Sequence, residues 1–153
     1  MIVADLPPLE QDRIVCSISA AEAYAIPADI MLAIAEIEGG KPQLQVANTN
    51  RTYDIGYMQF NSSYIADLSN RYSYDYQTIA KADGCYSFYL AAWRIASHIK
   101  NDKGSIWQKS ANYHSRTPKY NLIYQKKLIS SARKWALWLN KHFTTVNLQK
   151  EEK

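Results

Sequence analysis

The chain has few of the residues that metal, phosphate or nucleophile chemistry requires. Its 153 residues include five glycines and three histidines, and the histidines, His98, His114 and His142, are scattered along the sequence. No His, Cys or Asp spacing resembles a metal site. No glycine-rich loop fits a phosphate, and no serine lies in a Gly-x-Ser-x-Gly turn. The sequence therefore predicts no metal and no cofactor.

The chain also lacks a segment that would place it in a membrane. No stretch is long and apolar enough to cross a bilayer, and no signal peptide is visible at the start. We expect a mature form from which a leader was removed and to which a starting Met was added. The sequence therefore predicts no membrane span.

Charge of one sign is present only in mild excess. There are 18 lysines and arginines against 14 aspartates and glutamates, a net charge of +4. A nucleic-acid-binding domain would cluster its basic residues on one helix, whereas here they are spread out and concentrate only in the last third. We predict no nucleic-acid partner, because a mildly basic surface also suits an anionic polymer such as a bacterial cell wall.

Cysteine is scarce, with two residues at positions 16 and 85. An even number in a small protein permits a disulfide without requiring one, and two buried free thiols fit the spacing equally well. If bridged, Cys16 and Cys85 would close a loop of roughly seventy residues and would imply an oxidising compartment. Cys16 falls within an apolar helix, which does not suit an exposed thiolate nucleophile.

The remaining composition is that of an ordinary globular protein rich in aromatic residues. Apolar residues make up 47%, and there are twelve tyrosines, whose flat faces suit sugar rings as well as protein cores. No repeat or domain boundary is visible, so we predict one domain over residues 1–143 and a polar tail over residues 144–153. The fold class is mainly α, with short helices around one long loop.

The hydrophobic periodicity and the capping residues set the expected elements. The loop covers residues 41–57 and can form a short β-turn-β excursion over residues 52–57. A short helix is expected to end near Gly84. The other expected helices cover residues 9–24, 30–38, 64–70, 85–101, 106–114 and 118–142.

The helix over residues 30–38 carries two glutamates that are not equivalent. At about 100° per residue, Ile30, Ile34 and Ile37 form one apolar stripe. Glu38 falls on the flank of this stripe and points toward the core, whereas Glu36 falls on the opposite, solvated face. Of the two, Glu38 is therefore the candidate for chemistry.

Glu38 has two reasons to hold its proton. It lies in the last turn of the helix, where the dipole disfavours a negative charge by roughly 0.3–1 kcal/mol. Partial burial beside apolar side chains raises the pKa further, as a general acid needs near neutral pH. A helix-terminal glutamate that reaches solvent or pairs with a lysine explains the position equally well. However, Gly39 and Gly40 leave open backbone where a substrate can approach.

A second carboxylate, Asp54, follows sixteen residues later in a predicted turn. Two carboxylates on a helix end and a turn can flank a glycosidic bond, as in lysozyme, the standard example of this arrangement. The pair is a weak signal by itself, because any helical protein of this size contains several. Asp54 can equally cap its turn through its own backbone.

Several motifs follow one another in an order that resembles a known family. They are Ala23-Tyr24-Ala25-Ile26-Pro27, Glu38-Gly39-Gly40, Asn-x-Asn-x-Thr-Tyr-Asp-x-Gly-x-Met-Gln-x-Asn over residues 48–61, Cys85-Tyr86-Ser87 with Ala92-Trp93, and Ala-x-Tyr-His-Ser-x-Thr-Pro over residues 111–118. Together they resemble the lytic transglycosylases of bacterial secretion and conjugation systems, within the soluble lytic transglycosylase family. The resemblance implies a lysozyme-like fold of the goose type, with a small irregular or β-like insert as one wall of a cleft.

The resemblance also implies an activity on peptidoglycan glycan strands. Glu38 would be the single catalytic acid and base, protonating the glycosidic oxygen between N-acetylmuramic acid and N-acetylglucosamine. It would then take the proton of the muramoyl C6 hydroxyl, which closes a 1,6-anhydro ring without water. The biological role would be to open the cell wall locally for a secretion, pilus or conjugation apparatus, and no cofactor is implied.

The resemblance assigns further site residues and a location. Cys16 and Cys85 match positions that this subgroup pairs in a disulfide, which implies a periplasmic or cell-wall-associated protein. Asp54 resembles the second carboxylate of animal-type lysozymes, so it could stabilise an oxocarbenium-like transition state or support hydrolysis. The implied substrate-binding residues are Tyr53, Met58, Gln59, Asn61, Tyr113, His114 and Tyr124.

Two other activities stay open at this stage. A hydrolytic muramidase would use Glu38 together with Asp54 to help water attack. A non-catalytic peptidoglycan-binding module would keep the cleft without turnover, although the retention of Glu38 argues against it.

Overall fold

The computed structural model describes residues 8–40, 44–72 and 85–142. Within these ranges the chain forms six helices and a small antiparallel sheet, so the prediction of a mainly α fold with a β-like insert is confirmed. The helices are α1 (Pro8–Tyr24), α2 (Ala28–Glu38), α3 (Ser62–Tyr72), α4 (Tyr86–Asn101), α5 (Ile106–Ala111) and α6 (Pro118–His142). The strands are β1 (Gln45–Ala47), β2 (Tyr53–Ile55) and β3 (Phe60–Asn61).

Helix α2 runs through the core and ends at the glutamate that the sequence singles out. It packs against α1 on one side and α6 on another. Every residue from Ile30 to Ala35 is buried, so the apolar surface is wider than the single stripe that periodicity predicts. Gly39 ends the helix in the left-handed conformation, at φ 58°, and its amide donates to the carbonyl of Ala35.

The expectation for Glu36 is wrong in one respect. Its side chain is 38% exposed, but it faces α6 and does not simply meet solvent. One carboxylate oxygen accepts from Lys134 Nζ at 2.6 Å, and the other accepts from Trp135 Nε1 at 2.8 Å. The helical wheel of α2 alone could not indicate this contact, because α6 reaches it from about a hundred residues later in the chain.

The long predicted loop contains more β structure than the sequence indicates. Strand order is β1-β2-β3, and Val46 pairs with Asp54 in the first antiparallel ladder. The expected excursion over residues 52–57 contains β2, whereas β1 and β3 lie outside it. Strand β1 is three residues long and exposed throughout, so it has no alternation of apolar and polar residues that could reveal it.

Eight of the twelve predicted helix ends agree with the structure to within one residue, whereas α2 begins two residues earlier than expected and α3 ends two residues later. The bounds of α6 are as predicted, and Ser105 caps α5 as expected by accepting from the Gln108 amide. Helix α3 begins two residues earlier than expected, because Asn61 Oδ1 accepts from the Ser63 amide and caps the first turn. Helix α5 ends at Ala111 and not at residue 114. The predicted helix near Gly84 and the polar tail over residues 144–153 lie outside the described residues.

A disulfide joins Cys16 on α1 to Cys85, the residue before α4. Their Cα atoms are 4.9 Å apart, and 69 residues separate them in sequence. The pairing that the family resemblance implies is therefore present, and the two-thiol alternative does not hold.

Gly40, two residues after α2 ends, packs against the turn between β2 and β3. Its amide donates to the carbonyl of Tyr57 at 3.1 Å, and its own carbonyl accepts from Arg13. A Cβ at this position would lie 1.9 Å from the Gly56 carbonyl oxygen and 2.7 Å from that of Tyr57. The insert can reach the end of α2 only because residue 40 has no side chain.

Gly40→Ala is therefore expected to destabilise the protein by about 3 kcal/mol, the upper range for an added methyl group that neighbours must move to accept. Gly39→Ala is the matched control, because a Cβ there meets no atom closer than 3.5 Å. The left-handed backbone at residue 39 should cost an alanine about 1–2 kcal/mol. Urea unfolding of both variants tests the difference, and equal losses would contradict a close contact at residue 40.

Candidate active site

A cleft of about 710 Å³ opens between the sheet, the end of α2 and the segment between α5 and α6. Six of the sequence-predicted site residues line it. They are Glu38, Asp54, Gln59, Asn61, Tyr113 and His114. The structure therefore brings the two candidate carboxylates to one cavity, although they belong to different elements.

Glu38 has an unusual protonation equilibrium. Burial raises its pKa from the ordinary value of 4.5 to about 7. A hydrogen bond from Tyr124 Oη, 2.6 Å from Oε2, opposes this rise by favouring the charged form, and the negative charge of Asp54 adds to it. At neutral pH the carboxyl group is thus present in both forms and can give or take a proton.

Tyr124 positions Glu38 from the inside of the molecule. It is buried on α6, and burial raises its pKa well above the ordinary value, so the phenol stays a hydrogen-bond donor. The ring of His114 stacks on its ring with centroids 4.7 Å apart. Burial lowers the pKa of His114, so this ring is neutral at pH 7 and does not bring a positive charge to Glu38. Tyr124 supports the cleft without lining it.

Tyr113 closes the floor of the cleft and ties it to the insert. Its side chain is buried, and its hydroxyl donates to the backbone carbonyl of Met58 at 2.8 Å. The Met58 side chain is fully buried in the core. Contrary to expectation, Met58 therefore contributes a backbone carbonyl that fixes Tyr113, and its side chain does not face the substrate space.

Side-chain amides orient Asp54 on strand β2. Its Oδ1 accepts from Asn48 Nδ2 at 3.1 Å and from Asn61 Nδ2 at 3.4 Å. The same two amides donate to Thr52 Oγ1, at 3.2 and 3.0 Å. Asn48 and Asn61 thus hold the carboxylate at the cleft wall. Asn50 shapes the turn before β2, since its Oδ1 accepts from the Thr52 amide.

Two other predicted residues differ in placement. Gln59 lines the cleft, and its amide also donates to the Gly56 carbonyl at 2.9 Å, which braces the turn before β3. Tyr53 is 45% exposed and does not line the cleft. Successive side chains of a strand point to opposite faces, so Tyr53 cannot share the side of its neighbour Asp54.

Arg94 and Tyr120 are among the cleft residues that the sequence did not indicate. The guanidinium of Arg94 lies 4.3 Å from the Tyr64 ring centroid and 4.7 Å from that of Tyr113. A signal was present, because Arg94 directly adjoins the buried positions of α4 such as Ala91 and Ile95. A charge at the edge of a core face is uncommon unless it has a partner.

Tyr124→Phe is expected to move the pH dependence of activity without unfolding the protein. The Tyr124 hydroxyl favours the charged form of Glu38, so its removal should raise the pKa of Glu38 above 7. The basic limb of the kcat/KM profile should then shift to higher pH. Tyr24→Phe, which changes an exposed tyrosine outside the cleft, is the control and should leave this limb in place. If the basic limb does not shift in Tyr124→Phe, the Tyr124 hydroxyl does not influence the pKa of Glu38.

In the part of the chain that the structure describes, no group of three or more His, Cys, Asp or Glu side chains could hold a metal ion. No helix in the same ranges is long and apolar enough to span a bilayer. The cleft itself is lined by two carboxyl groups, those of Glu38 and Asp54. A carboxyl that titrates near pH 7 beside a second carboxylate suits the protonation of a glycosidic oxygen.

Comparison with known proteins agrees with this geometry. No individual curated protein matches the chain. The family model of the transglycosylase SLT domain matches residues 15–122, more than half of the chain, and this range holds Glu38, Asp54 and Tyr113. Members of that family are lytic transglycosylases that act on peptidoglycan. The protein thus has a lysozyme-like fold and belongs to the transglycosylase SLT family.

Proposed function

We propose that this transglycosylase cleaves the β-1,4 bond between N-acetylmuramic acid and N-acetylglucosamine, with Glu38 as its single acid and base. The observation that carries the proposal is the environment of Glu38, a carboxyl at the cleft wall whose pKa is raised to about 7 and which a buried tyrosine holds in place. A group with this pKa can serve in both directions of proton transfer at neutral pH.

The reaction has two proton transfers through the same carboxyl group. Protonated Glu38 donates to the glycosidic oxygen as the bond to muramoyl C1 breaks, so N-acetylglucosamine leaves as an alcohol. The resulting carboxylate then accepts the proton of the muramoyl C6 hydroxyl while that oxygen bonds to C1. The 1,6-anhydro ring forms, Glu38 regains its proton, and no water is consumed.

Asp54 is proposed to stabilise the positive charge that develops at C1. Asp54 lines the same cleft as Glu38, and its negative charge contributes to the raised pKa of Glu38. Carboxylates in this position favour an oxocarbenium-like transition state by electrostatics. Gln59, Asn61, Tyr113 and His114 are proposed to contact the sugars from the cleft lining.

Asp54→Asn should lower the rate about tenfold without abolishing it, the effect of roughly 1.4 kcal/mol of transition-state stabilisation. It should also lower the pKa of Glu38, since a neighbouring negative charge is removed. The basic limb of the pH profile would then move to lower pH, the opposite direction to Tyr124→Phe. Complete loss of activity would instead make Asp54 indispensable and favour hydrolysis.

A hydrolytic muramidase is the second candidate function, and the shared cleft of Glu38 and Asp54 is the observation in its favour. Mass spectrometry of the muropeptides released from purified peptidoglycan separates the two reactions. Transglycosylation gives 1,6-anhydro ends, which are lighter by one water than hydrolysed ends. Reducing ends would assign the protein as a muramidase, and no release from folded protein would favour a non-catalytic binding module.

The biological setting is proposed to be local opening of the cell wall for a secretion, pilus or conjugation apparatus. The support is the resemblance of the motifs around Glu38 and Asp54 to transglycosylases of such systems. The Cys16–Cys85 disulfide favours an oxidising compartment such as the periplasm. We further propose that residues 1–143 act as one unit and that components of the apparatus recruit it. Cell fractionation and crosslinking during assembly would test this setting, and a cytoplasmic protein would contradict it.

A further inference from the structure

The excess positive charge of the protein lies on one helix. Helix α6 has 25 residues, among them six lysines and arginines and no aspartate or glutamate. Of the 18 lysines and arginines in the chain, 12 therefore lie elsewhere, where 14 aspartates and glutamates outnumber them. The net charge of +4 thus comes from α6 alone. Charge that is distributed this unevenly indicates a surface that meets an anionic partner.

Most of these cations fall on the side of α6 that faces away from the core. The buried residues of the helix, such as Tyr124 and Leu128, lie on the side that packs against α2. At about 100° per residue, the stripe on the opposite side, which we call the outer face of α6, contains four exposed cations: Lys119, Lys126, Arg133 and Lys141. Because a helix of this length extends about 37 Å, the four charges cover a long surface.

The cations of the outer face are not neutralised by neighbouring carboxylates. Within residues 8–40, 44–72 and 85–142, the ion pair of α6 is that of Lys134 with Glu36, which lies on the flank toward α2. In the same ranges no carboxylate oxygen lies within 4 Å of the charged nitrogens of Lys126 or Arg133. The charge of the outer face is therefore available to a partner.

Exposed apolar side chains are interleaved with these cations. Leu122, Ile123 and Leu137 belong to the outer face and are 53%, 48% and 72% exposed. A polyanion such as a wall polymer or a nucleic acid would contact the cations only. The interface of a lipid bilayer takes both kinds of side chain, because phosphates attract the cations and apolar side chains enter the boundary of the acyl chains.

The composition of the outer face suits a protein partner less well. Lysine is depleted in protein–protein interfaces, whereas arginine and aromatic residues are enriched there. Three of the four cations are lysines, and the residues assigned to the outer face include no aromatic side chain. Lysine has a long apolar stem with a charged end, which suits contact with lipid headgroups. An anionic lipid surface is therefore the partner that the outer face fits best.

We propose that the outer face of α6 docks the protein on a phospholipid surface that contains an anionic lipid such as phosphatidylglycerol. The contact is peripheral, and it goes beyond the proposed activity because it requires no glycan strand. Ile123 also lines a cavity of about 210 Å³ to which Glu38 contributes, so the outer face borders the active site. Docking on this face keeps the active site close to the membrane surface.

Flotation of the whole protein with vesicles tests the docking in the absence of glycan. Vesicles of equal parts phosphatidylglycerol and phosphatidylcholine should bind the protein, whereas vesicles of phosphatidylcholine alone should not. Added salt should release the bound protein, because it screens exposed charges. Equal binding to both kinds of vesicle, or binding to neither, would overturn the proposal.

Two double variants decide whether α6 carries the binding. Lys126→Gln with Arg133→Gln should lower the partition coefficient about 25-fold, since each basic residue at an anionic surface contributes about fivefold. Lys100→Gln with Lys103→Gln removes two exposed cations at the end of α4 and is the matched control with the same net charge. It should lower the partition coefficient about twofold at most, because distant charges are screened. Equal losses would assign the binding to net charge and overturn the docking face.

Leu137→Ser separates a lipid surface from a partner that is only a polyanion. Vesicle binding should weaken roughly fourfold for each methyl group that enters the interface, and retention on purified peptidoglycan should not change. Unchanged vesicle binding would overturn the assignment to lipid. All these variants should cleave soluble glycan fragments at the normal rate. If the unmodified protein binds vesicles but cleaves no glycan, the proposed function fails and the docking face stands.

Discussion

Glu38→Gln should lower the rate of glycan cleavage by about 10³- to 10⁴-fold, the upper range for loss of a general acid–base group. The amide is isosteric and can still accept the hydrogen bond from Tyr124, which is 2.6 Å from the carboxylate in the structure. It cannot donate a proton to the leaving oxygen or accept one from the C6 hydroxyl. Because one group serves both transfers, the loss should appear in kcat and kcat/KM equally.

The matched control for this variant is Glu36→Gln on the same helix. Glu36 pairs with Lys134 and Trp135 and does not line the cleft, so its removal should leave the activity unchanged. It should lower stability only slightly, because the ion pair is partly exposed. Residual cleavage above one tenth of the normal rate in folded Glu38→Gln, or an equal loss in Glu36→Gln, would contradict the assigned role.

Ionisation of Glu38 is expected to lower the free energy of unfolding. Its pKa in the folded protein, about 7, lies above the ordinary value of 4.5. This contribution to stability is fully present below pH 4.5 and is lost as the pH rises through 7. Glutamine has no charge to bury, so Glu38→Gln should have a Tm equal to or above that of the unmodified protein at pH 8. A marked fall in Tm at that pH would attribute the lost activity to misfolding.

The sequence predicted the position of Glu38 well, because local rules decide it. Two glycines end the helix, and the helical periodicity places this side chain beside the apolar stripe that faces the core. Its raised pKa follows mainly from burial, and the negative charge of Asp54 adds to the rise. The donor that opposes the rise, Tyr124, lies 86 residues away, and no spacing rule joins the two. Only the family resemblance indicated that this tyrosine belongs near the glutamate.

The cleft wall shows where sequence reasoning is least reliable. Residues 52–59 match the family as a continuous motif, but alternation along β2 sends Asp54 to the cleft and Tyr53 to the other face. The motif alone cannot show which of the two residues faces the cleft, because this depends on the register of the strand. Met58 is similar, since its role comes through a backbone carbonyl that accepts from Tyr113. A sequence motif can indicate that a residue matters, but it does not show whether the backbone or the side chain makes the contact.

Removal of the disulfide by Cys16→Ala together with Cys85→Ala should lower the free energy of unfolding by about 4 kcal/mol in the chain-entropy model. The bridge spans 69 residues, so the unfolded chain regains the freedom of a long loop. For a domain of this size, 4 kcal/mol corresponds to a fall in Tm of about 10 °C. Differential scanning calorimetry measures the shift, and reduction of the unmodified protein should reproduce it.

The loop that the Cys16–Cys85 disulfide closes contains both Glu38 and Asp54, but the disulfide does not hold these side chains in place. Glu38 is fixed by Tyr124 on α6, and Asp54 by Asn48 and Asn61, all of which remain in the double variant. The rate of cleavage at 25 °C should therefore be unchanged, whereas the temperature at which activity is lost should fall with the Tm. An unchanged Tm would mean that the unfolded chain is already compact across this segment. A lower rate at 25 °C in fully folded protein would instead assign the bridge a role in the geometry of the cleft.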